Sequence, residues 1–179
     1  MYLADCFFIQ YSVMCEYSKF CISGNLFSIG QSVELYLKAV FIYQTGNSKK
    51  AFEYGHKIRD LYKACQKEDS NFIPTFKIQS YNLEENTNTE HYYKHQEFYF
   101  IAENLPKLKY GGIPKNSENS RFPFMSLRSF NLYWIEFVKD IRSYLNYPGG
   151  NYTDFIKTFL EINENLSETV RTFLGQIYK

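Results

Sequence analysis

The chain has 179 residues, of which 45% are hydrophobic and 22% are charged, and its formal net charge at pH 7 is +1. This length allows one buried core, and the near-neutral charge excludes attraction of nucleic acid by a global basic field, so that such a contact would need a local basic patch. Four cysteines without a metal-ligand spacing, and no secretory leader, favour reduced thiols and a cytoplasmic location.

Two amphipathic segments open the chain. Apolar residues recur every three or four positions from about residue 4 to residue 22, and again from about residue 26 to residue 43. This spacing predicts two helices, each with one buried face, separated at Ser23-Gly24-Asn25, where glycine can adopt the left-handed conformation that ends a helix. Polar residues interrupt the first segment before it reaches the length of a membrane span, which predicts no membrane partner.

A third helix is predicted from about residue 56 to residue 66. The connection before it, residues 48–55, is short, which predicts that this helix returns antiparallel to the second one. Residues 68–90 give no clear pattern, because Pro74 argues against a central strand and the polar run 82–89 is typical of a mobile loop.

Helical spacing returns in the second half of the chain. The apolar positions predict a fourth helix over about 92–105, a loop over 107–122 and a fifth helix over about 123–145. From Tyr152 to Ile177, eight apolar residues follow one another at steps of three and four, close to the spacing of a coiled-coil seam. This segment is either a helix, or a helix pair, that lies across the bundle, or a seam through which two copies form a dimer.

The sequence therefore predicts an all-α protein. We expect one domain over residues 1–179, composed of an up-and-down bundle of about five to six helices over 1–145 and a C-terminal helical extension over 152–179. The sequence contains no βαβ alternation, no glycine-rich phosphate loop and no internal repeat. No cofactor is predicted.

Aromatic residues are unusually frequent, with 17 Tyr and 17 Phe against 1 Trp. One explanation is a compositional drift, in which case rings simply fill much of the core. The other is a surface on which nucleic-acid bases stack, which requires exposed rings beside a basic groove.

Two motifs in the first half of the chain resemble a known family. The predicted second helix contains GQSVELYLKA from Gly30, and GHKIRDL follows from Gly55. This pair resembles the HEPN family of helical bundles, named for nucleotide binding in prokaryotes and higher eukaryotes, whose members join Q-x-x-E-L-x-L-K-A to a following G-H-x-L-x-x-L. A weaker similarity lies at Lys109-Tyr110, where many members have Arg-Tyr-Pro; here lysine replaces arginine, and three residues separate Tyr110 from Pro114.

The resemblance implies a HEPN-like bundle over residues 1–145 that binds a nucleotide or RNA. The residues it assigns to the ligand are those of the motifs: Glu34, Lys38, His56, Lys57, Lys109 and Tyr110. It also implies a nucleotidyltransferase as partner protein, within a toxin–antitoxin or defence pair. A homodimer is expected as well.

The same motif residues also have a structural interpretation. Glu34 lies four residues before Lys38, which is the favourable order for an ion pair along a helix, and His56 can hydrogen-bond to Glu34 from the facing helix. Such contacts would fix the register between the two helices. The alternative is a small polar pocket, lined by these three residues and Lys57, that holds the ligand.

Catalysis by the family mechanism is not expected. The resemblance implies a metal-independent ribonuclease that uses an arginine followed, after four to six residues, by a histidine, and no arginine of this chain has a histidine at that distance. The nearest pattern is Arg128 with Tyr133, and tyrosine titrates near pH 10. A divergent ribonuclease, in which Arg128 binds phosphate and Tyr133 donates a hydrogen bond, is the alternative.

A metal site is not predicted either. His91 and His95 are four residues apart, as ligands on one helix face are, but the chain has no HExxH motif. The first hypothesis is therefore a non-catalytic nucleotide-binding, RNA-binding or protein-interaction module. A divergent ribonuclease is the second, and a structural dimerisation module is the third.

Overall fold

A computed structural model describes residues 1–17, 22–72, 132–147, 161 and 168–177 of the chain. The described residues contain no strand, and the all-α prediction is confirmed. They form six helices: α1 (Tyr2–Tyr17), α2 (Ile22–Thr45), α3 (Ser48–Glu53), α4 (Ile58–Glu68), α5 (Leu132–Tyr144) and α6 (Glu168–Ile177). Among these residues, no helix combines the length and the apolarity that crossing a membrane requires.

Helix α2 is the centre of the described bundle. It is 24 residues long and contacts α1, α3, α4 and α5. Rings make up much of the core, because the largest buried side chains are mainly aromatic: Tyr11, Tyr36, Tyr62, Phe8, Phe41, Phe72 and Phe137. Packing in the core therefore accounts for these seven aromatic residues.

The first two helices are separated earlier than predicted. Helix α1 ends at Tyr17 and α2 begins at Ile22, so that Ser23-Gly24-Asn25 lies in the first turn of α2 rather than between two helices. The first turn of a helix leaves backbone N–H groups without intrahelical partners, and small polar residues are well tolerated there. Residues that are suited to end a helix are also suited to begin one.

Helix α3 and the turn after it lead the chain back along α2. The ring of Tyr54 lies 5.6 Å from that of Phe41, and His56 hydrogen-bonds to Glu34, so that contacts on α2 move to lower numbers as the chain advances. The return from the end of α2 to the level of Glu34 covers about 16 Å at the usual rise per residue. The segment predicted as a short connection makes this return, and it includes a helix.

Helix α4 consequently runs parallel to α2, and the antiparallel prediction for it is wrong. The thiol of Cys65, near the end of α4, donates to the carbonyl oxygen of Leu37 over 3.5 Å. The carbonyl oxygen of Cys65 accepts from Nε2 of Gln44 over 3.1 Å. Contacts on α2 therefore rise from Glu34 to Gln44 as α4 proceeds from its beginning to its end.

The remaining predicted elements are described only in part. Helix α5 lies within the predicted fifth helix, and α6 lies within the predicted C-terminal extension. Leu174 of α6 is fully buried in the core, and α6 contacts α1. The predicted fourth helix and the loop over 107–122 lie outside the described residues.

Candidate functional site

Glu34 and Lys38 form a buried ion pair one turn apart on α2. Nζ of Lys38 lies 2.5 Å from Oε1 of Glu34, and the two residues are only 3% and 6% exposed. A buried charge without an opposite charge costs several kcal/mol, so that each residue depends on the other. The ion pair that the spacing predicts is present, and it is buried rather than on the surface.

His56 bonds to the other oxygen of the same carboxylate. Its Nδ1 donates to Oε2 of Glu34 over 2.7 Å, so that the predicted contact between the two motifs is present. His56 lies in the turn between α3 and α4, directly after Gly55. The φ of Gly55 is 55°, a backbone conformation that residues with a side chain rarely adopt. The imidazole is 38% exposed, whereas the Glu34 side chain is 4% exposed, and His56 is therefore the solvent-facing member of the cluster.

The ammonium group of Lys38 has a second neighbour, the ring of Phe52 on α3. Nζ of Lys38 lies 5.1 Å from the centre of that ring, within the range of a cation–π interaction. Phe52 is 61% exposed, although its side chain is large and apolar. Lys38 is thus enclosed between a carboxylate and one face of a ring whose remaining surface meets solvent.

Positive charge is concentrated in α3, the turn and α4. Residues 48–68 include six basic and three acidic residues, a formal charge of +3, whereas the whole chain carries +1. Five exposed lysines form what we call the α3–α4 basic surface: Lys49, Lys50, Lys57, Lys63 and Lys67. Because α3 and α4 are joined by one turn and both pack on α2, this surface is the kind of local patch that nucleic-acid binding by a near-neutral chain would need.

A second buried cluster joins α1, α2 and α5. Nη1 of Arg142 lies 2.8 Å from Oδ1 of Asp5, and the hydroxyl of Tyr36 donates to the same oxygen. Asp5 is 1% exposed, and burial raises the pKa of its carboxyl group, while the Tyr36 hydrogen bond and the Arg142 charge oppose that increase. Sequence reasoning missed this cluster; the one available signal was an acidic residue inside an apolar helix.

A third cluster lies where α2, α4 and α5 end. The hydroxyl of Tyr144 donates to Oδ2 of Asp69 over 2.6 Å and accepts from Nε2 of Gln44 over 3.1 Å. The hydrogen bond from Tyr144 lowers the pKa of Asp69, and burial is the main cause that raises the pKa of Tyr144. This cluster fixes the ends of three helices together.

The predicted ligand residues are thus only partly brought together. Glu34 bonds to both Lys38 and His56, as the motifs predict, and Lys57 is exposed at the start of α4. The other candidates cannot be placed at this site: Lys109, Tyr110 and Arg128 lie outside the described residues, as do His91 and His95, and of Tyr133 only the backbone in α5 is described. In the described part of the chain, no group of three or more His, Cys, Asp and Glu side chains is arranged to hold a metal ion.

Neither a family model, nor a curated protein, nor a solved structure matches this chain.

Proposed function

We propose that this chain is a non-catalytic, HEPN-like helical module that binds RNA through the α3–α4 basic surface. The observation that carries the proposal is the exposure of five lysines on one segment, residues 48–68, of a chain whose remaining residues have a formal charge of −2. Lysines that neutralise phosphates release condensed counterions, and this release supplies most of the affinity in sequence-independent binding.

The buried cluster and the exposed lysines have different roles in this proposal. Glu34 and Lys38 are bonded to each other and shielded from solvent, so that they act as positioning residues. The bond from His56 to Glu34 holds the turn between α3 and α4 against α2. Lys57 and the other lysines of the basic surface, which face solvent, contact the phosphates.

Two contacts support a function without catalysis. Arg142 is buried in its ion pair with Asp5, which leaves it unavailable to a substrate phosphate. His56 donates from Nδ1 to a buried carboxylate, and its first role is therefore in the fold. Neither residue combines the exposure and the arginine–histidine proximity that metal-independent cleavage in the family requires.

RNA binding can be measured by fluorescence anisotropy with a labelled single-stranded RNA of about 12 nucleotides. We expect binding that weakens between about 50 mM and 200 mM salt, with a slope of log K against log salt of about −3 if four or five phosphates are contacted. Absence of binding at low salt, to this RNA and to mononucleotides, would overturn the proposal.

A pair of single substitutions locates the contact. Lys57→Gln removes one charge from the basic surface and is expected to make the salt slope shallower by about 0.7, because one phosphate contact is lost. Lys139→Gln removes one charge from an exposed position on α5 and should leave the slope unchanged. Equal effects of the two substitutions would place the RNA elsewhere.

A further inference from the structure

Phe52 occupies an unusual position for a large apolar residue. Helix α3 has six residues, and Ala51 is the one that is buried in the core, while the adjacent Phe52 remains 61% exposed. An exposed ring leaves apolar surface in water, and that surface is available to a partner.

The inner face of this ring is already occupied by a cation. Lys38 lies 5.1 Å from the ring centre and is 6% exposed, so that the ring itself covers the ammonium group from solvent. Glu34 fixes the position of Lys38 in turn. A cation on one face draws the π electrons of the ring toward it, and the open outer face then favours contact with an electron-rich partner such as a nucleic-acid base.

Lysines stand on both sides of the ring in the sequence. Lys49 and Lys50 precede it in α3, and Lys57 follows after the turn, all three exposed. An aromatic platform flanked by positive charge is the arrangement with which proteins bind single-stranded nucleic acid, because the charges follow the phosphates while the ring accepts a base. The bases of a duplex are stacked on one another and are closed to a single ring on a helix surface.

We propose that Phe52 is the stacking platform for an unpaired base, and that the ligand of the α3–α4 basic surface is single-stranded RNA. The inference rests on the RNA-binding function proposed above and names the feature of RNA that is recognised. Phosphate contacts alone would also accept a duplex, whose charge density is higher. The platform adds a preference for single strands.

The test compares three substitutions at Phe52 on two RNAs, a single strand of about 12 nucleotides and a blunt duplex of the same length. Phe52→Ala is expected to weaken binding of the single strand by about 5- to 150-fold, the range for loss of one stacked base, and to leave duplex binding within about twofold. Phe52→Trp should retain the affinity for the single strand. Phe52→Leu, which keeps an apolar cover over Lys38 but has no aromatic face, should behave as Phe52→Ala does.

Tyr43→Ala is the matched control. Tyr43 is also 61% exposed, and it lies near the end of α2, with its ring 5.9 Å from that of Tyr144. Its substitution should change the affinity for the single strand by less than about twofold, since no base stacks on it in this proposal. Thermal unfolding of every variant, followed by circular dichroism, identifies any loss of structure, and Phe52→Leu carries the test if Phe52→Ala does not fold.

The outcomes separate the two proposals. If the wild-type protein binds neither RNA, the proposed function is overturned, and the platform with it. If the wild-type protein binds RNA while Phe52→Leu and Phe52→Ala bind the single strand as tightly as it does, only the platform is overturned. Equal weakening of single-strand and duplex binding by a folded Phe52→Leu variant also overturns the platform, because the residue would then act on the basic surface as a whole.

Discussion

Arg142 and Asp5, which are separated by 137 residues in the sequence, form an ion pair buried between α5 and α1. Tyr36 of α2 donates a hydrogen bond to the same carboxylate oxygen. Two helices from the beginning of the chain and one from residues 132–144 are therefore fixed around one buried oxygen atom. Because a buried charge must meet its partner closely, this cluster allows few alternative arrangements of these helices.

Substitution of the arginine should be costly. Arg142→Met leaves the carboxylate of Asp5 buried without its opposite charge, and we expect a loss of about 3–5 kcal/mol in the free energy of unfolding. Urea denaturation followed by circular dichroism measures the loss. Lys139→Met, at an exposed position on the same helix, should change this free energy by less than about 0.5 kcal/mol. Similar losses in the two variants would contradict a special role for the ion pair.

The loss in the Arg142→Met variant should depend on pH. Burial already raises the pKa of Asp5 above its ordinary value of 3.8, and removal of the neighbouring positive charge raises it further. The folded state then holds a proton more firmly than the unfolded state, so that the contribution of Asp5 to stability falls as the pH rises from the unfolded to the folded pKa. The variant should therefore be closer to the wild type at about pH 5 than at about pH 7, in urea denaturation at both values. A deficit that is constant over this range would argue against the buried carboxyl group as its cause.

The cluster of Glu34, Lys38 and His56, on the other side of α2, should also lose stability when one of its charges is removed. Glu34→Gln removes the negative charge that Lys38 and His56 share, and a loss of about 3–5 kcal/mol in unfolding free energy is expected because the lysine stays buried. The double variant Glu34→Gln, Lys38→Met should recover part of that loss, since no uncompensated buried charge remains. Glu53→Gln, at an exposed position of α3, is the control. If the double variant is no more stable than Glu34→Gln alone, the buried lysine is not the source of the loss.

The hydrogen bond between Tyr144 and Asp69 should be visible in an acid titration. It is the main cause that lowers the pKa of Asp69, and Tyr144→Phe should raise that pKa toward 3.8, as observed by NMR of the carboxyl carbon. A lowered pKa stabilises the folded state above pH 3.8, and this stabilisation is lost as the pH falls through the folded pKa. The difference in unfolding free energy between wild type and variant should therefore narrow below pH 3.8. Tyr43→Phe, a neighbour that makes a ring contact with Tyr144, should leave the titration of Asp69 unchanged.

Helix α6 should stabilise the fold through Leu174. This side chain is fully buried, and Leu174→Ala is expected to lower the unfolding free energy by about 2–5 kcal/mol, at every protein concentration. Thr172→Ala, at an exposed position of the same helix, is the control. A loss that grows on dilution would instead indicate that Leu174 acts between two copies of the chain.

The parts of the structure that could be predicted are those with a local signal. The spacing of apolar residues determines which segments are helical, and the four-residue interval between Glu34 and Lys38 indicates their ion pair. The contact with His56 is predictable as well, because the motif containing it must face the helix that precedes it. In each case the sequence distance is short, or the number of possible partners is small.

The parts that could not be predicted depend on distant or directional information. The pairing of Asp5 with Arg142 follows from the folded arrangement of α1 and α5, and no sequence feature near either residue identifies the other as its partner. The shortness of the connection predicts an antiparallel α4, but the connection folds into α3 and reverses the chain before α4 begins. The exposure of Phe52 is not predictable from the sequence either. A phenylalanine next to an alanine that is buried has the sequence pattern of a core residue.

Two sets of polar contacts lie on opposite sides of α2. Ser32 and Tyr36 bond to α1, whereas Glu34 and Lys38, about 200° away around the helix axis, bond to each other beside α3 and the turn. No residue of α2 takes part in both sets of bonds. A substitution in one set therefore removes no bonded side chain of the other set, although both sets surround the same apolar core.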